Sequence, residues 1–258
     1  MKTRALTPLV ALALALAACG GDDGGSSATT TAAPAATTTA APAATTAVPT
    51  SSAAPTTTVK QATQREKDAV QLLVLTSADI PADLAMKVST DSSNDEKSAA
   101  DVCLTGDAGD VEPLVEASSS FENESSESIS SDASVYDDAS TVQRQLAIIT
   151  DDKTVSCLEE ALKKDFSDSL GGAGGSLTSL TLRKIDYPAV RNIGFAFDVV
   201  LTAEVAGQQI DLNVVMVGQS KGRLTQFLTV VGQGEVRAEL VDELTATLKT
   251  KLDASPLS

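Results

Sequence analysis

The sequence predicts an α+β fold, an antiparallel β-sheet built as a meander with helices packed on it. Residues 193–205 alternate between large apolar side chains and smaller or polar ones, the two-residue period of a strand with one buried face. After a tight turn at Gly207-Gln208, residues 210–216 repeat this alternation, and a third strand follows over residues 223–231. A helix over residues 235–252 carries an apolar stripe that can cover the sheet.

The first 18 residues have the pattern of a bacterial lipoprotein signal peptide. Lys2 and Arg4 precede a largely apolar run, Ala5 to Ala17, that is shorter than the roughly 20 residues a membrane-spanning helix needs. Leu16-Ala17-Ala18-Cys19 resembles a lipobox, in which a diacylglycerol is attached to the cysteine thiol and the chain is cleaved before it. We therefore predict a lipid on Cys19 and anchoring to the extracytoplasmic side of the cell membrane. A secreted protein with an incidental cysteine is the alternative.

A linker and one domain are predicted after the signal peptide. From Cys19 to Val59 the chain is rich in Gly, then in Ala, Thr, Pro and Ser, a composition that buries too little apolar surface to fold. We predict a disordered linker over residues 19–59 and a single α+β extracytoplasmic domain over residues 60–258. A domain of this size can bury a core without metals or dense disulfides.

Composition excludes several classes of function. The 258 residues include 19 Lys and Arg, 35 Asp and Glu and no His, which gives a net charge of −16. A negative surface repels phosphate backbones, so we predict no nucleic-acid partner. Without His, neither the Ser-His-Asp nor the Cys-His arrangement forms, and imidazole zinc sites are absent. We therefore predict no catalytic residue, no cofactor, no metal and no enzymatic activity. A hydrolase that uses two carboxylates in a cleft is the less favoured alternative.

Helices and a strand are indicated in the first half of the domain. Thr63 and Glu66 have capping-box spacing and predict a helix from about Gln64 to Leu75. Residues 118–134 are rich in Ser and Glu, with apolar residues at odd positions, and predict a polar-faced edge strand over about 126–136.

Two further helices and a connector are predicted before the meander. Asp137-Asp138 cap a helix whose apolar stripe is Val142, Leu146 and Ile149. Ser156-Cys157-Leu158-Glu159 opens the next helix, and the glycine run at 171–175 ends it. That run lacks the strand-loop-helix context of a phosphate cradle, so we interpret it as a connector to a strand over residues 177–187. Acidic pairs such as Asp91 with Asp95 and Asp107 with Asp110 lack the ligand spacing of a calcium loop.

The segment Leu72–Pro81 resembles the "LLLTxxDLP" opening of a group of actinobacterial surface lipoproteins, which are related to the extracellular sensor domain of a mycobacterial Ser/Thr protein kinase. The resemblance extends over most of residues 60–252 and continues, in order, through Cys103-Leu104, Phe121, Val135-Tyr136, Leu146 and Cys157-Leu158. It implies a sensor-like or binding module. The kinase sensor has two disulfides, whereas the predicted domain contains two cysteines, and the sequence carries no kinase.

Cys103 and Cys157 are the two cysteines of the predicted domain. Because an extracytoplasmic compartment is oxidising, we predict a structural disulfide between them. A redox-active pair is disfavoured, since the spacing is not Cys-x-x-Cys.

The large apolar residues of the meander indicate one candidate binding site. Phe195, Phe197, Met216 and Phe227 are predicted to line an apolar pocket between sheet and helices, and ordinary core packing is the simpler alternative. We predict a monomeric, lipid-anchored and non-catalytic module that binds an unknown small ligand or an envelope protein. A structural or interaction lipoprotein of the envelope, or a lipid carrier, is the alternative.

Overall fold

The structure, a computed structural model, describes residues 61–89, 103, 112–172, 174–191 and 193–257. The predicted signal peptide, Cys19 and the linker lie outside the described residues, as do Asp91, Asp95, Asp107 and Asp110.

Four helices and seven strands make up the described fold. The helices are α1 (Gln64–Gln71), α2 (Ala139–Ile149), α3 (Asp152–Gly172) and α4 (Ala238–Ala254). The strands are β1 (Lys87–Val88), β2 (Val115–Glu122), β3 (Ser128–Val135), β4 (Gly175–Lys184), β5 (Gly194–Val205), β6 (Gln208–Lys221) and β7 (Leu224–Gln233). Two short 3-10 turns, Ser77–Asp79 and Ala82–Leu84, precede β1. None of the helices in the described part of the chain is both long enough and apolar enough to cross a membrane.

All seven strands form one antiparallel sheet in the order β1-β2-β3-β7-β6-β5-β4. The predicted meander is its second half, β4 to β7, and the predicted α+β class is confirmed. Strand β3 pairs with β7, so the third and the last strands of the domain meet at the centre of the sheet. The turn between β5 and β6 is centred on Ala206 and Gly207, both with positive φ, one residue earlier than predicted.

Both faces of the sheet are covered, which corrects the prediction of a single buried face in β5. Helix α3 packs Leu162, Phe166 and Leu170 against one face of β4 and β5, and we call this the α3 face. Helix α4 packs Leu244 and Leu248 against the other face, which we call the α4 face. Ala196 of β5 is buried on the α4 face in the same cluster as Leu244 and Leu248, and Asp198, on the same face, is buried and pairs with Arg183.

The serine-rich region contains the strand predicted over about 126–136, but its predicted position at the edge of the sheet was wrong and a second strand was missed. It forms two strands, β2 and β3, joined by a turn at Asn123–Glu127, and β3 lies inside the sheet between β2 and β7. The interior position is tolerated because the hydroxyls find partners. The Oγ atoms of Ser119 and Ser131 lie 2.9 Å apart, and Ser131 accepts a hydrogen bond from the Leu75 amide at 2.8 Å.

Helix boundaries follow the local hydrogen-bond acceptors. The predicted caps at Thr63 and Asp138 are confirmed. Helix α3 begins at Asp152, four residues before the predicted start, because the Asp151 carboxylate accepts the Lys153 amide at 3.0 Å. Helix α1 ends at Gln71, and in the irregular segment that follows Leu73, Val74 and Leu75 are buried whereas Leu72 is exposed.

Candidate ligand-binding site

The sheet carries a polar surface on its α3 face, over the strands that lie away from α3. We call it the polar patch and define it by Glu116, Ser118 and Ser120 on β2, Ser128, Ser130, Asp132 and Ser134 on β3, and Thr225, Phe227 and Thr229 on β7. These side chains share a face because every second residue of a strand points the same way, and directly opposite residues of neighbouring strands do so too. Ser130, Ser134 and Thr225 are buried, so the patch is polar without being fully solvated.

The centre of the polar patch is a carboxyl group that is held partly away from water. Asp132 lies opposite Ser118 on one side and Phe227 on the other. Burial raises the pKa of Asp132 to about 7, a hydrogen bond from Ser118 partly opposes this, and the charge of nearby Glu116 adds to it. Asp132 therefore exchanges its proton near neutral pH.

A second row of the polar patch crosses the same three strands. Ser134 donates a hydrogen bond of 3.0 Å to the Oε1 atom of Glu116, and burial raises the pKa of this carboxyl as well. Opposite Ser134 lies Thr225, which is 3% exposed and whose Oγ1 has no hydrogen-bond partner in the described part of the chain. The Oγ of Ser120 has none there either. Buried polar atoms in folded proteins are normally hydrogen-bonded, so two unpartnered hydroxyl oxygens in one patch are unusual.

The four residues of the predicted apolar pocket lie beside the polar patch and are brought together by the fold. Phe195 and Phe197 are buried with ring centroids 5.1 Å apart, and the Phe195 and Phe227 centroids are 5.8 Å apart. Phe227 and Met216 are only half-buried. The Phe195 ring contacts both of the others, as aromatic rings do in an ordinary core. Ligand binding between them stays a prediction, and the half-buried ring of Phe227 belongs to the polar patch.

A separate cleft of about 430 Å³ opens beside β1 and the β2–β3 turn. It is lined by Asp83, Leu84, Ala85, Lys87, Asn123, Glu124, Ser125 and Glu127. Its charged side chains are engaged in contacts with neighbouring residues, and the Lys87–Glu124 and Asp83–Arg237 pairs are solvent-exposed. Lys87 and Glu124, for example, lie 3.2 Å apart with side chains 73% and 92% exposed. Such pairs contribute little binding energy, so the cleft is a weaker candidate than the polar patch.

The predicted disulfide is present. Cys103 and Cys157 are bonded, with Cα atoms 5.7 Å apart, and the bond attaches residue 103 to helix α3. Within the described residues no group of three or more His, Cys, Asp or Glu side chains is placed to hold a metal ion.

Asp132, Glu116 and Thr225 were missed from the sequence. Asp132 stands in the alternating series Ser128, Ser130, Asp132 and Ser134, which marks a polar strand face. That series does not reveal its neighbours, because β7 joins β3 from about 90 residues further along the chain.

Fold and patch together define an α+β domain in which one antiparallel sheet is covered by helices and carries a partly buried polar surface. No family model matches the chain, and no curated protein matches it. Among solved structures it is similar to the extracellular domain of PknH from Mycobacterium tuberculosis, with a TM-score of 0.40 and 10% identity over 71% of this chain and 96% of that one. A similarity at this level does not transfer function.

Proposed function

We propose that this chain is a lipid-anchored extracytoplasmic binding module without catalytic activity, and that the polar patch is its ligand site. The observation that carries the proposal is Thr225, a buried hydroxyl without a partner, in the same patch as the partly buried carboxyl of Asp132. The Thr225 hydroxyl lowers stability as long as nothing hydrogen-bonds to it, and Asp132 does so when it is ionised, because burial outweighs the hydrogen bond from Ser118. Sites that retain such groups are typically used for binding.

Two features support the extracytoplasmic, anchored part of the proposal. The Leu16-Ala17-Ala18-Cys19 pattern follows a short apolar run, as in lipoprotein signals. The Cys103–Cys157 disulfide is of a kind that persists in oxidising compartments. The strongly acidic composition supports a partner other than nucleic acid.

Of the alternatives, the lipid carrier has the least support. A carrier needs an open apolar cavity, whereas Phe195 and Phe197 are buried and their rings contact each other at a centroid distance of 5.1 Å.

The ligand site can be tested on the full chain, expressed in an actinobacterial host and extracted with mild detergent. Native mass spectrometry would detect a bound molecule, and solvent extraction would identify its class. We expect the wild type to retain a ligand and Thr225→Val, which removes only the hydroxyl, to lose most of it. Thr245→Val is the matched control, because Thr245 is equally buried but lies on α4. A ligand that Thr225→Val retains in full would contradict the assignment of the site.

The anchor can be tested separately with Cys19→Ala. We expect the wild type in the membrane fraction, with the mass of a diacylglycerol on Cys19, and the variant in the soluble secreted fraction. Equal membrane recovery of the two chains would contradict lipid anchoring.

A further inference from the structure

We propose that the polar patch binds an organic ammonium ion, such as a primary amine, between the carboxyl of Asp132 and the ring of Phe227. This inference rests on the proposed function and names the ligand chemistry of the same site.

The geometry of the β3–β7 pair carries the inference. Asp132 and Phe227 are directly opposite each other in the register, and such pairs have Cβ atoms about 4.5–5.5 Å apart on one face. Phe227 is half-buried, with its ring backed by Phe195 at a centroid distance of 5.8 Å. A cation is attracted to the face of an aromatic ring and to a carboxylate alike, and this pair offers both.

The hydrogen-bonding groups around this pair match an ammonium group. An ammonium ion has three donors and no acceptor. The polar patch offers the carboxylate oxygens of Asp132 and Glu116. The buried Oγ1 of Thr225, which has no partner in the described part of the chain, lies in the same row as Glu116. An anionic ligand would be repelled by the two carboxyls, and a neutral one would leave their charge uncompensated. Ca²⁺ takes about 6–8 oxygen ligands, more than the two carboxyls of the patch supply.

Binding of a cation is coupled to proton release. Near pH 7 a group with the pKa of Asp132 is about half protonated, and a bound ammonium favours the carboxylate form. The neighbouring charge is Glu116 on β2, and Glu122 ends the same strand face. Strand β7 adds no ionisable group to the patch. On helix α2, the charged side chain of Arg144 donates a hydrogen bond to Thr141 of its own helix at 3.1 Å. Asp132 is therefore the group expected to release the proton.

The test is calorimetric titration of the full chain at pH 7 with n-butylammonium, n-butanol and butyrate, which differ mainly in charge. We expect butylammonium to bind with a Kd of about 1–10 mM, and butanol and butyrate at least about ten-fold more weakly. Binding should release up to about half a proton per site, and the buffer takes up this proton. Because phosphate and HEPES have different heats of ionisation, the heat of binding should differ between the two buffers. Butanol binding as tightly as butylammonium would overturn the proposal.

Variants assign the effect to the two residues. Asp132→Asn should weaken butylammonium binding at least about ten-fold and abolish the buffer dependence, and Phe227→Leu should weaken binding about three-fold while keeping the buffer dependence. Asp242→Asn, an exposed carboxyl on α4, is the control and should bind as the wild type does. If Asp132→Asn bound butylammonium as tightly as the wild type does, the proposal would be overturned. If that variant does not fold, unchanged affinity of Phe227→Leu would overturn it instead.

This outcome can be separated from failure of the proposed function. A co-purifying ligand that depends on Thr225, without butylammonium binding, would keep the site and reject the ammonium class. Absence of both would reject the site as well.

Discussion

Asp132 on β3 lies directly opposite Phe227 on β7, so a partly buried carboxyl and a half-buried aromatic ring share one face at the centre of the sheet. Burial on this face raises the pKa of Asp132 to about 7. The ionised carboxyl therefore makes the ligand-free protein less stable, and the resulting pH dependence of stability can be measured without knowing the ligand.

We expect stability to fall as the pH rises from about 4 to above 7. The folded state holds the Asp132 proton more tightly than the unfolded chain, so its contribution is complete below the ordinary pKa of 3.8 and is lost as the pH passes about 7. The loss is at most about 4 kcal/mol, since each pKa unit corresponds to about 1.4 kcal/mol. The raised pKa of Glu116 acts in the same direction.

Urea unfolding at several pH values measures this effect. Asp132→Asn, which removes the charge and keeps the shape, should make the free energy of unfolding depend less on pH between pH 4 and 8. Asp68→Asn, on the exposed surface of α1, should leave it unchanged. If the free energy of unfolding of the wild type and of Asp132→Asn changed equally with pH, the fold would not hold this carboxyl in its protonated form.

Glu66 is expected to have the opposite pH dependence. Its carboxylate accepts hydrogen bonds from the Thr63 amide at 2.6 Å and the Thr63 hydroxyl at 2.8 Å, and it pairs with Arg223 of the β6–β7 turn. The Thr63 amide and Arg223 hold its pKa down at about 2, against the opposing effect of burial. Its stabilisation is therefore present above about pH 4.5 and is lost as the pH falls toward 2.

Glu66→Gln should lower the free energy of unfolding at pH 7 by about 3 kcal/mol, because Arg223 loses the carboxylate it faces while only 23% of its side chain is exposed. The variant should also lose less stability than the wild type between pH 4.5 and 2.5. Glu160→Gln, on the exposed surface of α3, serves as the control and should cost less than about 0.5 kcal/mol. Chemical denaturation measures both, and equal costs for the two variants would contradict the role given to Glu66.

The sequence was informative where structure is set locally. The alternation in β5 and β6 and the caps at Thr63 and Asp138 depend on neighbouring residues, and each was found. The second buried face of β5 was missed because α4, which covers it, comes about 40 residues later in the chain.

The candidate site was hidden for the same reason. The pairing of β3 with β7 joins residues far apart in sequence, and a register shift of one residue would turn Asp132 to the opposite face. The serine-rich composition of β3 suggested exposure, whereas the hydroxyls of Ser131 and Ser134 bond to side chains of β2. Of the residues proposed here to bind a ligand, only Phe227 was singled out beforehand, and then as an apolar residue.

Removal of the Cys103–Cys157 disulfide should destabilise the domain by about 4 kcal/mol. The bond closes a separation of 54 residues, and the restraint it places on the unfolded chain grows with that length. Guanidinium unfolding of Cys103→Ser/Cys157→Ser, in a Cys19→Ala background that removes the third thiol, would measure the cost. Intact mass after alkylation under denaturing conditions provides the control, and two free thiols in the oxidised Cys19→Ala chain would contradict the bond.

The β5–β6 pair should be intolerant of a side chain at Gly194. A Cβ built there would lie 1.8 Å from the carbonyl oxygen of Gly218, which is backbone and has no room to move without breaking the ladder. We expect Gly194→Ala to cost more than about 3 kcal/mol or to prevent folding.

Gly218→Ala is the informative comparison at the next position of the ladder, where Gly218 is opposite Phe195. Its Cβ would lie 2.5 Å from the ring of Phe195, which can move aside, so the cost should be smaller, about 1–3 kcal/mol. Gly171→Ala, at a helix position with nothing within 4 Å, should be neutral or stabilising by up to about 1 kcal/mol. Thermal unfolding ranks the three variants by stability. If Gly194→Ala were as stable as Gly171→Ala, strands β5 and β6 would not pair in this register, and the positions of Phe195 and Phe197 beside the polar patch would be wrong with it.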